Sequence, residues 1–411
     1  MRLTIARLGH LGDALAEAPG GAVYVARALP GEVVEGEVVA GRMGAPAIIA
    51  PSPDRVRPPC PHYRTCGGCD LQHASDAFVA GWKSEVVRGA LSGQGLTAPI
   101  RAVHTSPAAS RRRATLAGRR TKAGALVGFH ARASGTLVEV PHCAVLRPEL
   151  LAALPCLFEA TILGASRKAE VAFTLCLSDA GVDVAATGGK EADAALLQAL
   201  AQLAETHDLA RLVWNGAPVA VRRPAQQSFG SARVVPPPGA FLQATRAGEA
   251  ALLTGVREAV NGAARLADLF AGCGTFALPL ASQAEVHAVE GDTAMVAALL
   301  AGARVASGLK RVSAEARDLF RRPLLPDELA RFDSVVLDPP RAGAEAQVAM
   351  LAESAVRTVA YVSCNPVTFA RDARVLLGAG FTLDWLDVVD QFRWSAHVEL
   401  VARFSRSLPQ R

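Results

Sequence analysis

The region after the proline run at 236–238 alternates short apolar segments with alanine-rich segments, and this alternation limits the fold more than any other feature. Four apolar segments, at 266–270, 285–290, 334–337 and 358–362, have the length and composition of buried strands. The alanine-rich segments between them have helical patterns. Strands that alternate with helices in this way form a parallel sheet with helices on both faces. We therefore predict a doubly wound α/β domain at 236–411.

The first 235 residues predict two further domains. Residues 1–51 contain short apolar runs broken by glycine and proline, which is typical of a small antiparallel β-barrel. Prolines between 51 and 59 lead into a central domain at 52–235, where helical and strand patterns are mixed. A chain of 411 residues is long enough for three domains.

Charge and hydropathy exclude some classes of protein. The formal net charge of +5 is compatible with an anionic partner but does not require one. No uninterrupted apolar stretch reaches the roughly 18 residues of a membrane span, so we expect no membrane partner. The N-terminus lacks the apolar core of a signal peptide. We expect a monomer in the cytoplasm.

A glycine-rich loop at 268–276 follows the first predicted strand of the α/β domain and predicts a nucleotide-like cofactor. Glycines there allow the backbone to approach a ligand closely. Glu290 ends the next strand, where a carboxylate can accept hydrogen bonds from ribose hydroxyls. The loop has no full Gly-x-Gly-x-x-Gly and no Walker lysine, so S-adenosylmethionine fits better than a dinucleotide or a nucleoside triphosphate. We expect Asp318 to contact the adenine and Cys273 to be a packing residue.

Two further motifs lie where predicted strands end. The sequence Asp-Pro-Pro-Arg at 338–341 offers the carboxylate of Asp338 to the cleft, and Cys364 follows the run at 358–362. A cysteine thiolate that adds to C6 of a pyrimidine makes C5 nucleophilic towards a methyl donor. The C5 proton must then leave, which requires a base, and Glu399 on the last predicted strand is our candidate. We expect His397 to face the same side of that strand.

Three cysteines within ten residues indicate a metal site. Cys60, Cys66 and Cys69 form this group, and Cys143 can serve as a distant fourth ligand. Four thiolates suit either tetrahedral zinc or an iron–sulfur cluster. The three-plus-one arrangement favours [4Fe–4S], with zinc as the alternative and with His62 and His73 as rival ligands.

These residues together resemble the RNA uracil-C5 methyltransferases that make 5-methyluridine in 23S ribosomal RNA. The resemblance covers nearly the whole chain. It implies a Rossmann-like class I methyltransferase domain, an N-terminal TRAM domain with an OB-like barrel that binds RNA, and a [4Fe–4S] cluster bound by the four cysteines. It also implies Cys364 as the nucleophile and Glu399 as the general base. The positions that it assigns to S-adenosylmethionine binding are Gln243, Phe270, Thr275, Glu290, Asp318 and Asp338.

The segment 391–395 departs from the family pattern, so the resemblance assigns no substrate contact to it. A target uridine in folded RNA must be extruded to reach a thiolate in a cleft. Basic residues are candidates for contacts with the RNA backbone: Arg111, Arg112, Arg113, Arg119 and Arg120, with Arg222, Arg223 and Arg371 as weaker ones.

Three alternatives stay open from the sequence. The substrate can be transfer RNA instead of 23S rRNA, because the family includes enzymes for both. A cytosine-C5 methyltransferase also uses a cysteine, but usually in a Pro-Cys motif, which this chain lacks. A non-catalytic RNA-binding or assembly factor is the third, although the complete set of Cys364, Glu399 and the cofactor loop disfavours it.

Overall fold

The computed structural model of the chain describes residues 1–407. Its first part is a six-stranded sheet with the order β5-β3-β2-β1-β4-β6. All neighbouring strands in it are antiparallel except β3 and β5, which run parallel. Within the described residues β5 and β6 end this hydrogen-bonded order. The strands are β1 (Arg2–Leu8), β2 (Ala14–Ala18), β3 (Gly21–Val25), β4 (Val33–Glu35), β5 (Arg42–Met43) and β6 (Ala47–Ala50).

Helix α1 (Asp76–Ser92) connects this sheet to the C-terminal part of the molecule. It begins at Ser75, whose hydroxyl accepts a hydrogen bond from the Phe78 amide (3.2 Å), as an N-cap does. Val79 on its first half packs in the core of the first sheet, whereas Leu91 on its last turn packs in the core of the C-terminal sheet. Strand β7 (Ile100–Thr105) follows it.

The middle of the chain forms a seven-stranded sheet with the order β10-β9-β8-β11-β12-β13-β14. Three helices, α2 (Pro148–Ala152), α3 (Leu154–Gly164) and α4 (Ala194–Thr206), contribute to its core. Its strands are β8 (Arg113–Arg120), β9 (Ala125–His130), β10 (Leu137–Glu139), β11 (Val171–Ser178), β12 (Gly181–Thr187), β13 (Arg211–Trp214) and β14 (Ala217–Val221). A hairpin of β15 (Gln227–Phe229) and β16 (Ala232–Val234) follows.

An eight-stranded sheet, with the order β19-β18-β17-β20-β21-β23-β22-β7, forms the C-terminal part. The four strands predicted from the apolar segments are confirmed as β17, β18, β20 and β21. The strands are β17 (Arg265–Leu269), β18 (Glu285–Glu290), β19 (Val312–Ala316), β20 (Ser334–Leu337), β21 (Thr358–Ser363), β22 (Thr382–Asp390) and β23 (Glu399–Ser405).

Helices cover both faces of this sheet, as predicted for a doubly wound fold. One core contains residues of α5 and α7, and the other contains residues of α1, α9 and α10. The six helices of the region are α5 (Arg246–Ala259), α6 (Ala277–Leu280), α7 (Thr293–Val305), α8 (Pro326–Leu329), α9 (Glu345–Glu353) and α10 (Pro366–Gly378). Within residues 1–407, no helix has the length and apolar character needed to cross a bilayer.

Two features of this sheet position the site. The chain order reverses between β17 and β20, and ligands of such sheets bind outside the carboxyl ends of the strands at this switch point. The edge strand β7 pairs in parallel with β22, with Val103 opposite Val388. The C-terminal sheet therefore takes one strand from the region predicted as the central domain. The predicted boundaries at 51/52 and 235/236 stay predictions.

Candidate active site

The glycine-rich loop leaves β17 at the switch point. Phe270 has a φ of +64°, which is uncommon for a residue with a side chain. Its amide and that of Ala271 both donate to the Val289 carbonyl, at 2.9 and 3.1 Å, and hold the turn against β18. Gly274 has a φ of +93°, and a β-carbon there would lie 2.8 Å from the Leu278 side chain. The loop therefore requires glycine at 274 for both conformation and space.

Glu290 lies at the end of β18 and contacts this loop. One carboxylate oxygen accepts a hydrogen bond from the Gly272 amide (2.9 Å), and the other accepts one from the Asp292 amide (3.0 Å). Each oxygen retains further acceptor capacity for a ligand. Thr275 is half-buried in the same loop. Cys273 is buried in the core, and burial raises the pKa of its thiol to about 12, which agrees with the packing role predicted for it.

Asp318 lies beside the loop, two residues after β19. Its carboxylate accepts a hydrogen bond from the Phe320 amide (2.9 Å). The Phe320 ring is about half exposed and lies 5.5 Å from the ring of Phe270. The sequence reasoning missed Phe320, although an exposed aromatic two residues after a candidate ligand-binding acid is a usable signal.

Asp268, on β17, was also missed as a site residue. It is fully buried, and within residues 1–407 neither carboxylate oxygen has a hydrogen-bond partner of normal geometry, although the Ala277 amide is near enough to lower its pKa slightly. Burial, together with the charge of Asp338, raises its pKa well above the usual range. A buried carboxyl group without a partner costs free energy unless a ligand satisfies it. The signal in the sequence is an aspartate inside an otherwise apolar strand.

Asp338 lies at the end of β20, on the other side of the switch point. Its amide donates to the Leu269 carbonyl (3.2 Å), so the backbone holds it next to β17. Its carboxylate accepts a hydrogen bond from the Gln243 side chain (3.3 Å). Burial and the negative charge of Glu290 raise its pKa to about 7. Asp338 therefore lies between the cofactor loop and the residues described next.

Gln391 connects three of the predicted site residues. Its side-chain nitrogen donates to the Gln243 side chain (2.5 Å) and to the carboxylate of Glu399. Its side-chain oxygen accepts a hydrogen bond from the Ala244 amide (2.6 Å), which fixes the orientation of the amide group. A continuous hydrogen-bonded path thus runs from Asp338 through Gln243 and Gln391 to Glu399. The resemblance assigned no role to Gln391.

Glu399 begins β23, which lies between β21 and β22 and not at an edge. Its side chain is 3% exposed. Burial raises its pKa to about 8, and the charge of Asp338 adds to this effect, while the Gln391 hydrogen bond and the charge of Lys83 oppose it. A carboxyl group with this pKa can exchange a proton near neutral pH.

His397 precedes this strand, so the prediction that it belongs to the strand is wrong. Its ring nitrogen Nδ1 lies 2.7 Å from the Arg341 guanidinium. The loop that contains it places the ring at the surface. The error arose because the sequence pattern does not show where the turn after β22 ends.

Cys364 lies between the end of β21 and the first turn of α10. Asn365 caps this helix, since its side-chain oxygen accepts a hydrogen bond from the Val367 amide (3.1 Å). The same side chain donates to the Arg341 carbonyl (2.9 Å). Burial raises the pKa of the Cys364 thiol to about 11, as do the charges of Glu399 and Asp338, whereas Arg341 lowers it. The helix N-terminus also favours the thiolate.

Cys364 opens into a cleft of about 740 Å³. Arg7 and His10 of the N-terminal region line one side of it, and Trp82 of α1 lines another. His397 also contributes to the wall. The cleft is therefore formed by the N-terminal region, α1, and the loops and α10 start at one edge of the C-terminal sheet, and it is large enough to hold more than one nucleotide base.

The four predicted cluster ligands lie in one neighbourhood. Burial raises the pKa of Cys66 and Cys143 and raises that of Cys69 to about 12, and charges on the other cysteines, including Cys60, add to each shift. Across residues 1–407, however, no three or more His, Cys, Asp and Glu side chains have the arrangement of a metal site. The metal-binding role of these cysteines therefore stays a prediction.

The two rival histidine ligands have other partners. The His62 ring nitrogen Nε2 accepts a hydrogen bond from the His142 amide (3.3 Å). His73 is buried, and its ring lies 2.7 Å from the Tyr63 hydroxyl.

The arginines predicted to contact RNA differ in their surroundings. Arg112 is 2% exposed, forms an ion pair with Glu249, and donates to the Gln243 carbonyl (3.1 Å). It therefore supports the backbone at Gln243, and the prediction that it contacts RNA is wrong. Partly exposed members of the set form ion pairs with acids: Arg119 with Glu170, Arg222 and Arg223 with Asp208, and Arg371 with Glu345 and Asp372.

The switch-point loop and the strand-end acids define a protein of the class I methyltransferase fold, and a solved structure supports this. The Pyrococcus abyssi tRNA (uracil-54, C5)-methyltransferase in complex with S-adenosyl-L-homocysteine superimposes with a TM-score of 0.76. The match covers 98% of this chain and 99% of that one at 22% sequence identity, so it establishes the fold.

Sequence relatives then establish the family. The family model described as tRNA (Uracil-5-)-methyltransferase matches residues 236–406. A Brucella suis protein named as an uncharacterized RNA methyltransferase is 42% identical over 401 residues, which is 98% of this chain and 97% of the relative. The 23S rRNA (uracil(1939)-C(5))-methyltransferase RlmD of Halomonas elongata is 36% identical, over 97% of this chain and 88% of its own. The chain belongs to the RNA uracil-C5 methyltransferase family, and it is an RNA methyltransferase.

Proposed function

We propose that the enzyme transfers a methyl group from S-adenosylmethionine to C5 of a uridine in RNA, and that the RNA is 23S ribosomal RNA. The observation that carries this proposal is the convergence of Cys364, Asp338 and Glu399 at one edge of the sheet. Pyrimidine C5 methylation requires a nucleophile, for which Cys364 is suited, and a base, for which Glu399 is suited, while Asp338 lies beside the cofactor loop. The hydrogen-bonded path through Gln243 and Gln391 connects Asp338 to Glu399.

The chemistry follows from the residues. The Cys364 thiol loses its proton to solvent, its thiolate adds to C6 of the uracil, and the electron pair of the C5–C6 double bond becomes available at C5. Bound S-adenosylmethionine would supply this carbon with the methyl group of its sulfonium, and the sulfur would keep the electron pair of the broken S–CH3 bond. Glu399 then accepts the C5 proton, the C5–C6 double bond forms again, and the C6–sulfur bond breaks to release the thiolate. The family assignment and the pKa of Glu399 near neutrality support this sequence of steps.

The residues around the loop fit S-adenosylmethionine. Asp268 presents a buried carboxyl group without a partner, which a cationic amino group would satisfy. We assign the ribose hydroxyls to Glu290 and the adenine to Asp318, Phe270 and the neighbouring Phe320. The remaining contacts are assigned to Gln243, Thr275 and Asp338.

The choice of 23S rRNA is supported by the Halomonas relative, whose name gives that substrate. The names of the matching family model and of the Pyrococcus structure point to transfer RNA instead. We favour 23S rRNA because the rRNA enzyme shares the higher sequence identity with this chain, 36% against 22% for the Pyrococcus enzyme. Mapping 5-methyluridine in both RNAs from cells with and without the gene distinguishes the two.

We further propose that Cys60, Cys66, Cys69 and Cys143 bind a [4Fe–4S] cluster, which would be a structural element of a central domain at 52–235. Neighbouring cysteine thiols lie close enough to raise the pKa of Cys66, Cys69 and Cys143, and this proximity supports the proposal. Purification under argon should yield a brown protein that contains about four iron atoms per chain. A colourless protein that contains zinc would contradict the proposal.

The N-terminal sheet at 1–51 is proposed as an RNA-binding barrel. Its Arg7 and His10 line the cleft at Cys364, which supports a contact with the RNA near the target uridine. Removal of both side chains in the variant Arg7→Ala/His10→Ala should raise KM for RNA and leave KM for S-adenosylmethionine unchanged. Equal KM values for RNA in variant and wild type would contradict this role.

Identification of the methylated nucleoside tests the central proposal. Purified enzyme is incubated with methyl-labelled S-adenosylmethionine and with rRNA from cells that lack the gene, and the digested nucleosides are separated. Label in 5-methyluridine is expected for the wild type and not for Cys364→Ala. Label in 5-methylcytidine, or full activity of Cys364→Ala, would refute the proposal.

A further inference from the structure

Lys83 is a fully buried lysine whose ammonium group makes three polar contacts. Its Nζ atom lies 2.5 Å from the Asp390 carboxylate, 2.8 Å from the His397 carbonyl and 3.2 Å from the Phe392 carbonyl. The side chain of Lys83 is 0% exposed, and that of Asp390 is 1% exposed. An ammonium group has three N–H donors, so all of them are used here.

These contacts join α1 to both ends of one loop, residues 391–398. Asp390 is the last residue of β22, and His397 lies two residues before Glu399 at the start of β23. The ammonium group therefore holds the segment that leads into the proposed base. The middle of the loop is held separately, because the Trp394 carbonyl accepts hydrogen bonds from the amides of Asp70 (2.8 Å) and Leu71 (2.9 Å).

A fully buried ion pair contributes little net stability to a protein. Removing both charges from water costs free energy that their attraction rarely exceeds, and two apolar residues of similar volume stabilise a core at least as well. Burial acts on both partners, since it lowers the pKa of Lys83 and raises that of Asp390. A role beyond packing explains why the pair is charged.

The charged groups around Glu399 indicate what this further role is. The charge of Asp338 disfavours the ionised form of Glu399, and the charge of Glu399 in turn raises the pKa of the nearby Cys364 thiol. The charge of Lys83 opposes the effect of Asp338, and Gln391 is a neutral hydrogen-bond donor to the Glu399 carboxylate. The positive charge thus favours the carboxylate form that can accept a proton.

We propose that Lys83, paired with Asp390, is a positioning residue for the general base Glu399: it fixes both ends of the 391–398 loop and supplies the positive charge that favours the ionised base. This inference rests on the proposed function, in which Glu399 removes the C5 proton. Loss of the pair should slow this last step more than it slows methyl transfer. The methylated adduct between Cys364 and RNA should then accumulate.

The test compares the double variant Lys83→Met/Asp390→Asn with the wild type. Removing both charges avoids an isolated buried charge. The matched control is Arg211→Met/Asp183→Asn, which removes a buried ion pair from the seven-stranded sheet. Single-turnover reactions with labelled S-adenosylmethionine are followed on denaturing gels, where a protein–RNA adduct migrates separately from free RNA.

We expect adduct decay about tenfold slower in the Lys83 variant than in the wild type, with half-maximal decay at a higher pH. The control should match the wild type in both. If the variant does not fold, as judged by circular dichroism, Lys83→Gln/Asp390→Asn replaces it, because the glutamine amide can still donate towards the His397 carbonyl while the charge is lost. Its expected result is the same shift to higher pH.

The arms of the test separate the two proposals. Absence of 5-methyluridine and of adduct with the wild type would refute the proposed function itself. A different result would refute the role of Lys83 alone. In that case the wild type is active, Cys364→Ala is inactive, and the Lys83 variant releases RNA at the wild-type rate and with the wild-type pH dependence.

Discussion

Replacement of Glu399 by glutamine is expected to make the protein more stable than the wild type as the pH rises, although it removes the proposed base. The Glu399 carboxyl group is 3% exposed, and burial raises its pKa from the ordinary 4.5 to about 8. Between these two values the folded protein retains a proton that the unfolded chain has lost. The contribution of Glu399 to stability is therefore largest below pH 4.5 and is lost as the pH rises through 8.

The magnitude follows from the two pKa values. Between pH 6 and pH 8 the free energy of unfolding of the wild type should fall by about 2 kcal/mol through this group alone. Glutamine has nearly the shape of the protonated side chain and cannot titrate. The Gln391 side chain can still donate to its amide oxygen, so the packing is preserved.

Thermal unfolding at pH 6 and pH 8 measures this difference. The melting temperature of Glu399→Gln minus that of the wild type should increase by a few degrees between the two pH values. Glu353→Gln, at an exposed position of α9, is the matched control and should show no such change. A constant difference for Glu399→Gln would refute the reasoning, because it would mean that Glu399 is ionised in the folded protein throughout.

Three further predictions concern the residues around the site. Gly274→Ala should destabilise the protein by about 1–3 kcal/mol in denaturant unfolding and abolish S-adenosylmethionine binding in calorimetry, since φ is +93° and Leu278 fills the space; wild-type affinity would contradict this. Arg341→Met should slow adduct formation at pH 7 by less than about tenfold, because the exposed guanidinium lowers the pKa of Cys364 only through screened charge; an unchanged rate would exclude this effect. Gln391→Leu should shift the pH dependence of adduct decay to higher pH. The Gln391 hydrogen bond lowers the pKa of Glu399, so its loss should raise that pKa; an unchanged pH profile would contradict the assignment.

Much of the C-terminal sheet was predictable because its strands are buried on both faces. Such strands have continuous apolar sequences, and β17, β18, β20 and β21 were found for this reason. The carboxyl ends of parallel strands meet at one edge, so the residues that follow them were expected to converge. The convergence of Asp338 and Cys364 follows from that rule.

Other parts depended on contacts between distant segments, which the local sequence does not reveal. β7 pairs with β22, which lies far along the chain from it, and the short mixed sequence of β7 does not show this partner. Arg112 was interpreted as an exposed cation because three arginines in a row usually face solvent, but the Glu249 carboxylate pairs with it in the interior. Lys83 and Asp390 were missed for the same reason, since each becomes informative only when the other is known.

The most direct measurement of the central claim is the mass of the peptide that contains Cys364 after Glu399→Gln has reacted with RNA and S-adenosylmethionine. With proton removal blocked, nuclease and protease digestion should yield this peptide linked to a uridine nucleotide that carries one additional methyl group. Recovery of the peptide unmodified, while the wild-type enzyme forms 5-methyluridine under the same conditions, would contradict the assignment of Cys364 as nucleophile and Glu399 as base.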